Sequence, residues 1–443
     1  MQHPDRRSDN PGRHPRTEPE TPVRGSGSCP YEDDHRTSHS ATIHPPLFSP
    51  DYYQQAHQVA EQLRHSAPVY PATLINGTKA WIISRAHDAH TALHDRRLRK
   101  DHQRLTAILQ PQLAEAGEST NLSRMFGEHM LFAEDAQHRR MRSFVSRVFS
   151  ARQMRALAPR IRRHCHYLLD QMASVDSVDL VSSFSFRLPV TVICELLGID
   201  SSDFTSFRSW TNALMEDRQE INVAASEEME EYFVELIRRK RSNPGNDLLS
   251  DLATGRGDLD HLTDRELVDS LFLLFVAGHE TTANLIGNAV VALQGDPRSW
   301  QRLASDPSFV ERVVEEVARY DGAVRMATHR YTAESVVYSD VTIPAGELVL
   351  IHLLSANRDE QMHTAADRLN LDSPSGQSHL AFGSGPHYCL GAGLARLETS
   401  IALEELSARF PKLRLGCPQS LLQRQHSAIM HGYREIPVVL NAD

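Results

Sequence analysis

Residues 382–391 read FGSGPHYCLG, a glycine-rich turn that presents one cysteine, Cys389, just ahead of an apolar-periodic stretch opening a helix near Gly391. Gly383, Gly385 and Gly391 relax the steric limits on a tight turn, so main-chain N–H groups can face the sulfur while the helix N-terminus adds positive potential. Both influences favour the thiolate. A thiolate held this way suits a metal, haem iron above all, because electron donation from sulfur weakens a bound O–O bond. The loop predicts oxygen activation rather than oxygen storage. A cysteine taken singly is more often a buried structural residue, so the weight of the reading falls on what else the chain carries.

Upstream, residues 277–282 read AGHETT within a long apolar stretch. Ala277 and Gly278 are small enough to let a flat cofactor and a diatomic gas approach the helix, and an interior glycine costs about 1 kcal/mol against alanine, so it needs a reason. The Thr281 hydroxyl can turn back to an upstream carbonyl and open the helical ladder locally. Glu280 places a titratable group on the route to solvent. Two further pairs share helix faces: Glu316 with Arg319, three apart, and His138 with Arg142, four apart.

In this order, and with the pattern Phe382-x-x-Gly385-x-x-x-Cys389-x-Gly391, the motifs resemble those of the cytochromes P450, over about residues 45–443. The resemblance implies a mainly α fold with a minor β portion (α+β), a single-domain triangular prism enclosing haem b (iron protoporphyrin IX), with O2 as cosubstrate. Cys389 would ligate the iron, and Phe382, Gly383 and Gly391 would shape its loop. Ala277 and Gly278 would lie beside the cofactor, and Glu280 and Thr281 would manage protons. His138, Arg142, Arg330 and His387 would hold the two propionates, with His329 the alternative to Arg330. Glu316 and Arg319 would form a buried structural cluster completed by Arg368.

The same resemblance, strongest in HMLFAEDAQHRRMR and LLFVAGHETTANLIGN, points to the actinobacterial branch acting on macrolides and other secondary metabolites. The implied reaction is hydroxylation or epoxidation of a small molecule, with electrons from a ferredoxin and its NAD(P)H-dependent reductase. The alternatives are oxidative C–C or phenol coupling without oxygen insertion, and a non-enzymatic haem-thiolate sensor. Ala323 and Glu360 stand where the family pattern has proline. Arg325, near the expected substrate pocket, is read as pointing to solvent, the alternative being contact with an anionic group of the substrate. Arg139, Arg140 and Arg147 give a basic patch on the cysteine side of the haem, suited to an acidic ferredoxin.

These residues need elements to hold them. Thr263 with Glu266 forms a capping box, and Gly295 with Pro297 a stop, so a helix is expected over about 264–294. Roughly 30 residues at 1.5 Å each span about 45 Å, the width of a domain, and the run is apolar nearly all round, which predicts a buried central helix. Residues 69–74 and 80–83 flank Asn76-Gly77 as a hairpin; strands are also expected over 336–343, 347–352 and 428–440. Residues 1–44 lack apolar periodicity and are expected to be a disordered extension to the 45–443 domain.

The chain has 443 residues, 40% hydrophobic and 23% charged, with net charge −10, a balance that excludes nucleic-acid binding as a main function. No apolar run is long enough to span a bilayer. Five cysteines without paired spacing argue for a reducing cytoplasm. A cytoplasmic monomer without membrane attachment is expected. Substrate choice should lie with residues 101–128, 204–221 and 425–431.

Overall fold

The computed structural model describes residues 46–122, 127–146, 149–199, 204–215, 219–245, 247–255, 262–372 and 378–441. The expected disordered extension, residues 1–44, and Arg147 of the basic patch lie outside the described residues. Ala41–Asp443 forms one compact unit.

At its centre runs the helix Asp264–Leu293, entered through the expected capping box, in which Thr263 and Glu266 each satisfy the other's main-chain N–H. Its first half packs Leu271, Phe272 and Phe275 against Ile193, Phe207 and Phe233. Its second half packs Ile286, Ala289 and Val290 with Ile161, Val313 and Ala402. Two apolar clusters on two sides explain why the stretch carries no polar stripe. The helices Arg187–Leu197, Pro307–Asp321 and Ala392–Arg409 all pack on it.

The β portion is a five-stranded sheet in the order Val69–Thr73, Lys79–Ile83, Leu348–Ile351, Arg330–Thr332, Leu98–Arg99. The first pair is the expected hairpin. Leu348–Ile351 joins it in parallel, and the remaining pairs are antiparallel. Leu98–Arg99, too short to show a period in sequence, nevertheless sets the register beside the site.

Two strand expectations change. Residues 336–343 form a hairpin, Val336–Tyr338 with Val341–Ile343, turned at Ser339 and Asp340, whose φ values of 46° and 62° are those of a tight hairpin turn. Of residues 428–440 only Pro437–Val439 is strand. The stretch before it folds onto the central helix instead: Asn288 Nδ2 donates to the His431 carbonyl at 2.9 Å, and a Cβ on Gly432 would sit 2.1 Å from Asn284 Oδ1. Other main-chain groups of the stretch pair in isolated bridges, His431 N–H with the Ala323 carbonyl and the Ile429 carbonyl with Arg325 N–H, rather than in a continuous ladder.

Candidate haem site

The cysteine loop is closed by main-chain bonds. Cys389 N–H donates to the Phe382 carbonyl at 2.9 Å, and Gly383 N–H to Leu380 at 2.8 Å. Gly383 and Gly385 take φ of 70° and 72°, and a Cβ on Gly385 would lie 2.9 Å from the Leu93 carbonyl oxygen; both positions require glycine. Gly391 does not, since its φ is −82° and a Cβ there would meet nothing nearer than Phe149 at 3.9 Å. What Gly391 contributes is its N–H, aimed at the Cys389 sulfur.

Cys389 is exposed, whereas Cys165 and Cys194 are buried, which separates it from the ordinary structural cysteine. Desolvation by surrounding protein pushes its thiol up, while the Gly391 N–H, Arg142, Arg396 and the Ala392 N–H pull it down. Arg142 is tied to the same loop, donating to the Tyr388 carbonyl at 2.7 Å. Arg396 lies 4.2 Å over the Phe382 ring and is anchored by Glu315 at 2.5 Å.

Facing this loop are basic groups in excess of acids. The His138 and His387 rings are 4.4 Å apart, and His138 Nε2, though buried, has no partner. Burial, Arg142 and Lys100 push the His138 pKa down; burial, Lys100 and Arg330 do the same to His387. Arg330 is 4% exposed, its Nε is unpartnered, and its Nη1 donates to the Leu98 carbonyl at 3.4 Å. Burial lowers its pKa to about 10. Buried cations without acids are costly unless an anion pairs with them. A cofactor bringing two carboxylates fits these residues.

The central helix supplies the opposite wall. Among neighbours that are buried, Ala277 is exposed and Gly278 and Thr281 half-exposed, so one stripe of an otherwise enclosed helix faces open space. Thr281 Oγ1 donates to the Ala277 carbonyl at 2.9 Å, the bond its position predicts. Glycine at 278 has a packing reason: a Cβ there would come within 3.0 Å of Ile193 Cδ1. Glu280 is buried, and burial raises its pKa against the opposing pull of Gln425 and Asn284. The amides of Gln425 and Asn284 both donate to Glu280 Oε1 at 3.4 Å. Neither was visible as a partner in sequence, although Asn284, four residues on, carries the helical spacing that could have signalled it.

The Glu316–Arg319 pair is buried, with bonds of 2.6 and 2.9 Å. Arg368 joins it only through its main chain, its carbonyl accepting from Arg319 Nη2 at 2.8 Å, while its side chain is 80% exposed. The expected side-chain role is therefore wrong: Arg319 already carries the positive charge that Glu316 needs. Arg325 is also corrected. It is 0% exposed, bonded to His431 Nδ1 at 3.2 Å and to the Ser427 carbonyl, and it lies 5.0 Å over the Tyr53 ring. Of the basic patch, Arg139 is exposed, but Arg140 pairs with Glu266 at the start of the central helix.

A cysteine loop, a facing helix with an accessible Ala277–Thr281 stripe, and a wall of basic side chains with donors left over at His138 Nε2 and Arg330 Nε together describe a haem-thiolate site. A family model described as cytochrome P450 matches residues 199–414. Cytochrome P450 107B1 of Saccharopolyspora erythraea is 42% identical over 88% of this chain and 96% of its own length. The chain belongs to the cytochrome P450 family, whose members are haem-iron enzymes using O2. It is also 36% identical to the mycinamicin IV hydroxylase/epoxidase of Micromonospora griseorubida, over 85% of this chain and 94% of that one. The tirandamycin C-bound monooxygenase TamI superposes with a TM-score of 0.82 at 34% identity, covering 89% of this chain and 99% of that one. This is a cytochrome P450 monooxygenase. Among the described residues no helix is long and apolar enough to cross a membrane.

Proposed function

We propose that this monooxygenase inserts one oxygen atom of O2 into a macrolide or related polyketide, by hydroxylation or epoxidation, while two electrons and two protons reduce the other atom to water. Electrons come from a ferredoxin and its NAD(P)H-dependent reductase. The enzyme works as a cytoplasmic monomer whose haem domain spans 45–443. The observation that carries the reading is an accessible Cys389 beside buried basic side chains whose donors are left over, His138 Nε2 and Arg330 Nε. The likeness to the mycinamicin enzyme supports the substrate class.

Haem b bound to the Cys389 sulfur would supply the redox iron at which O2 is reduced and substrate oxidised. The chain's own residues do the rest. Cys389 supplies the sulfur, whose thiol burial in the chain alone holds above its ordinary range against the pull of the Gly391 and Ala392 N–H groups, Arg142 and Arg396, and Phe382, Gly383 and Gly385 keep its loop closed. His138, Arg142, Arg330 and His387 hold the carboxylates, and Ala277 with the Gly278 backbone leaves room on the facing side. Thr281 can release its hydroxyl from the Ala277 carbonyl to donate into the site. Glu280, which burial keeps protonated to higher pH than an ordinary carboxyl, passes protons inward from the side of Gln425 and Asn284.

The test has two arms. The carbon-monoxide difference spectrum of the reduced protein should show the red-shifted thiolate band, and Cys389→His should remove it; a histidine-type band in the intact protein would sink the ligand assignment. With a macrolide that shifts the spin state, Thr281→Ala should divert reducing equivalents to peroxide, and unchanged coupling would remove Thr281 from proton delivery.

A further inference from the structure

The geometry points to Lys100 as a further cation that anchors a carboxylate of the bound haem. This rests on the haem reading above and names a residue that no motif in the chain contains.

Lys100 is 2% exposed. It follows the strand Leu98–Arg99, whose antiparallel register pairs Leu98 with Thr332 and Arg99 with Tyr331, and the next step of that register carries Lys100 to Arg330. Like charges directly opposite on neighbouring strands repel, and here both are out of water. The contacts of the ammonium do not answer this. Nζ donates to Thr328 Oγ1 at 2.5 Å and lies 5.3 Å over the Phe132 ring. An ammonium has three donors, and neither of these partners carries charge.

The carboxylate whose field reaches both Lys100 and Arg330 is Glu134. Its Oε1, however, accepts the main-chain N–H of Lys100 at 2.5 Å. Meanwhile the ammonium acts on His138, His329 and His387 together, so it shares the space those rings face. Burial and the neighbouring Arg330 pull the Lys100 pKa well down, so Lys100, Arg142 and Arg330 are three basic groups crowded together with Glu134 the carboxylate set against them. A ligand that brings two carboxylates balances them, with His138 and His387 as neutral donors. Lys100 thus binds haem from the sheet side, as Arg142 does from the helix side.

The experiment compares full-length, haem-loaded wild type with Lys100→Met, Lys100→Gln and Lys100→Arg. It follows haem transfer to excess apomyoglobin, the reduction potential of the iron, and the urea midpoint of the loaded protein. Lys100→Met should speed haem transfer about ten- to a hundredfold, the weight of one charge-assisted bond, and lower the potential. Lys100→Gln keeps a donor to Thr328 but loses the charge, and should still give the faster transfer. Lys100→Arg should restore retention to within about threefold of wild type. Unchanged transfer and potential in both neutral variants would overturn the assignment. So would a urea midpoint that falls alike in all three variants with no rescue by arginine, which would make Lys100 a structural residue. If wild type itself lacks the thiolate band, it is the underlying haem reading that fails.

Discussion

Arg319 and Arg330 are both buried arginines, 2% and 4% exposed, and their surroundings are opposites. Arg319 is closed by the chain itself: Nε and Nη2 meet the two Glu316 oxygens, Nη1 meets the carbonyls of Asn357 and Ala366, and Nη2 also meets that of Arg368. Glu316 Oε1 takes the Asn370 N–H at 2.7 Å as well. Arg330 has one long bond to a carbonyl, an unpartnered Nε, and Lys100 for a neighbour. A charge whose donors are all used supports the fold; one whose donors are left over is built for something the chain does not contain. Motif recognition alone would have treated both arginines as family hallmarks, whereas the donor inventory tells them apart.

The largest effect that probes this contrast is expected at Arg319. Arg319→Met leaves Glu316 buried and unpaired and should cost about 3–5 kcal/mol in urea unfolding. The double variant Glu316→Leu/Arg319→Met should regain most of that loss. If the double variant is as unstable as the single one, the cluster is more than a closed charge pair.

Next comes Arg330→Met, for which the expectation reverses. Haem transfer should accelerate about tenfold to a hundredfold, while the urea midpoint falls by less than in Arg319→Met. A stability loss equal to that of Arg319→Met would erase the distinction between the two arginines. His138→Phe sharpens it on a smaller scale. It keeps the ring but deletes a nitrogen that has no partner within the protein, so haem should leave several-fold faster, by about 1 kcal/mol, with fold stability held.

Glu280 lies between the extremes, buried with only amide partners, and gives the smallest effect. Burial raises its pKa above the ordinary 4.5, so its favourable contribution is full below that value and is lost as pH rises through the raised one. Glu280→Gln has no such slope. Above about pH 5 the variant's melting temperature should gain on wild type, by roughly 2 °C. A difference that stays flat with pH would mean the carboxyl is not held in its protonated form.

Much of the site was legible because its partners are local. The Cys389 turn, the Thr263–Glu266 cap and the Thr281 bond to Ala277 each lie within a few residues, where helix and turn geometry leave little freedom. Less legible were groups whose partners arrive from far along the chain. Arg325 was expected in solvent and is buried between Tyr52 and Tyr53. Arg368 was expected to lend its side chain and lends a carbonyl. Arg140, read as part of an open patch, is taken by Glu266. Lys100 belongs to no spacing pattern, since a two-residue strand puts it beside Arg330.

From residue order alone follow the family, the thiolate loop, the central helix and the acid–alcohol pair, because covalent proximity and helical periodicity dictate those neighbours. Only the tertiary structure decided which buried charges are spent and which are free. That depends on strand register and on carbonyls drawn from distant segments, which together determine whether each donor finds its acceptor inside the protein or must find it in a ligand.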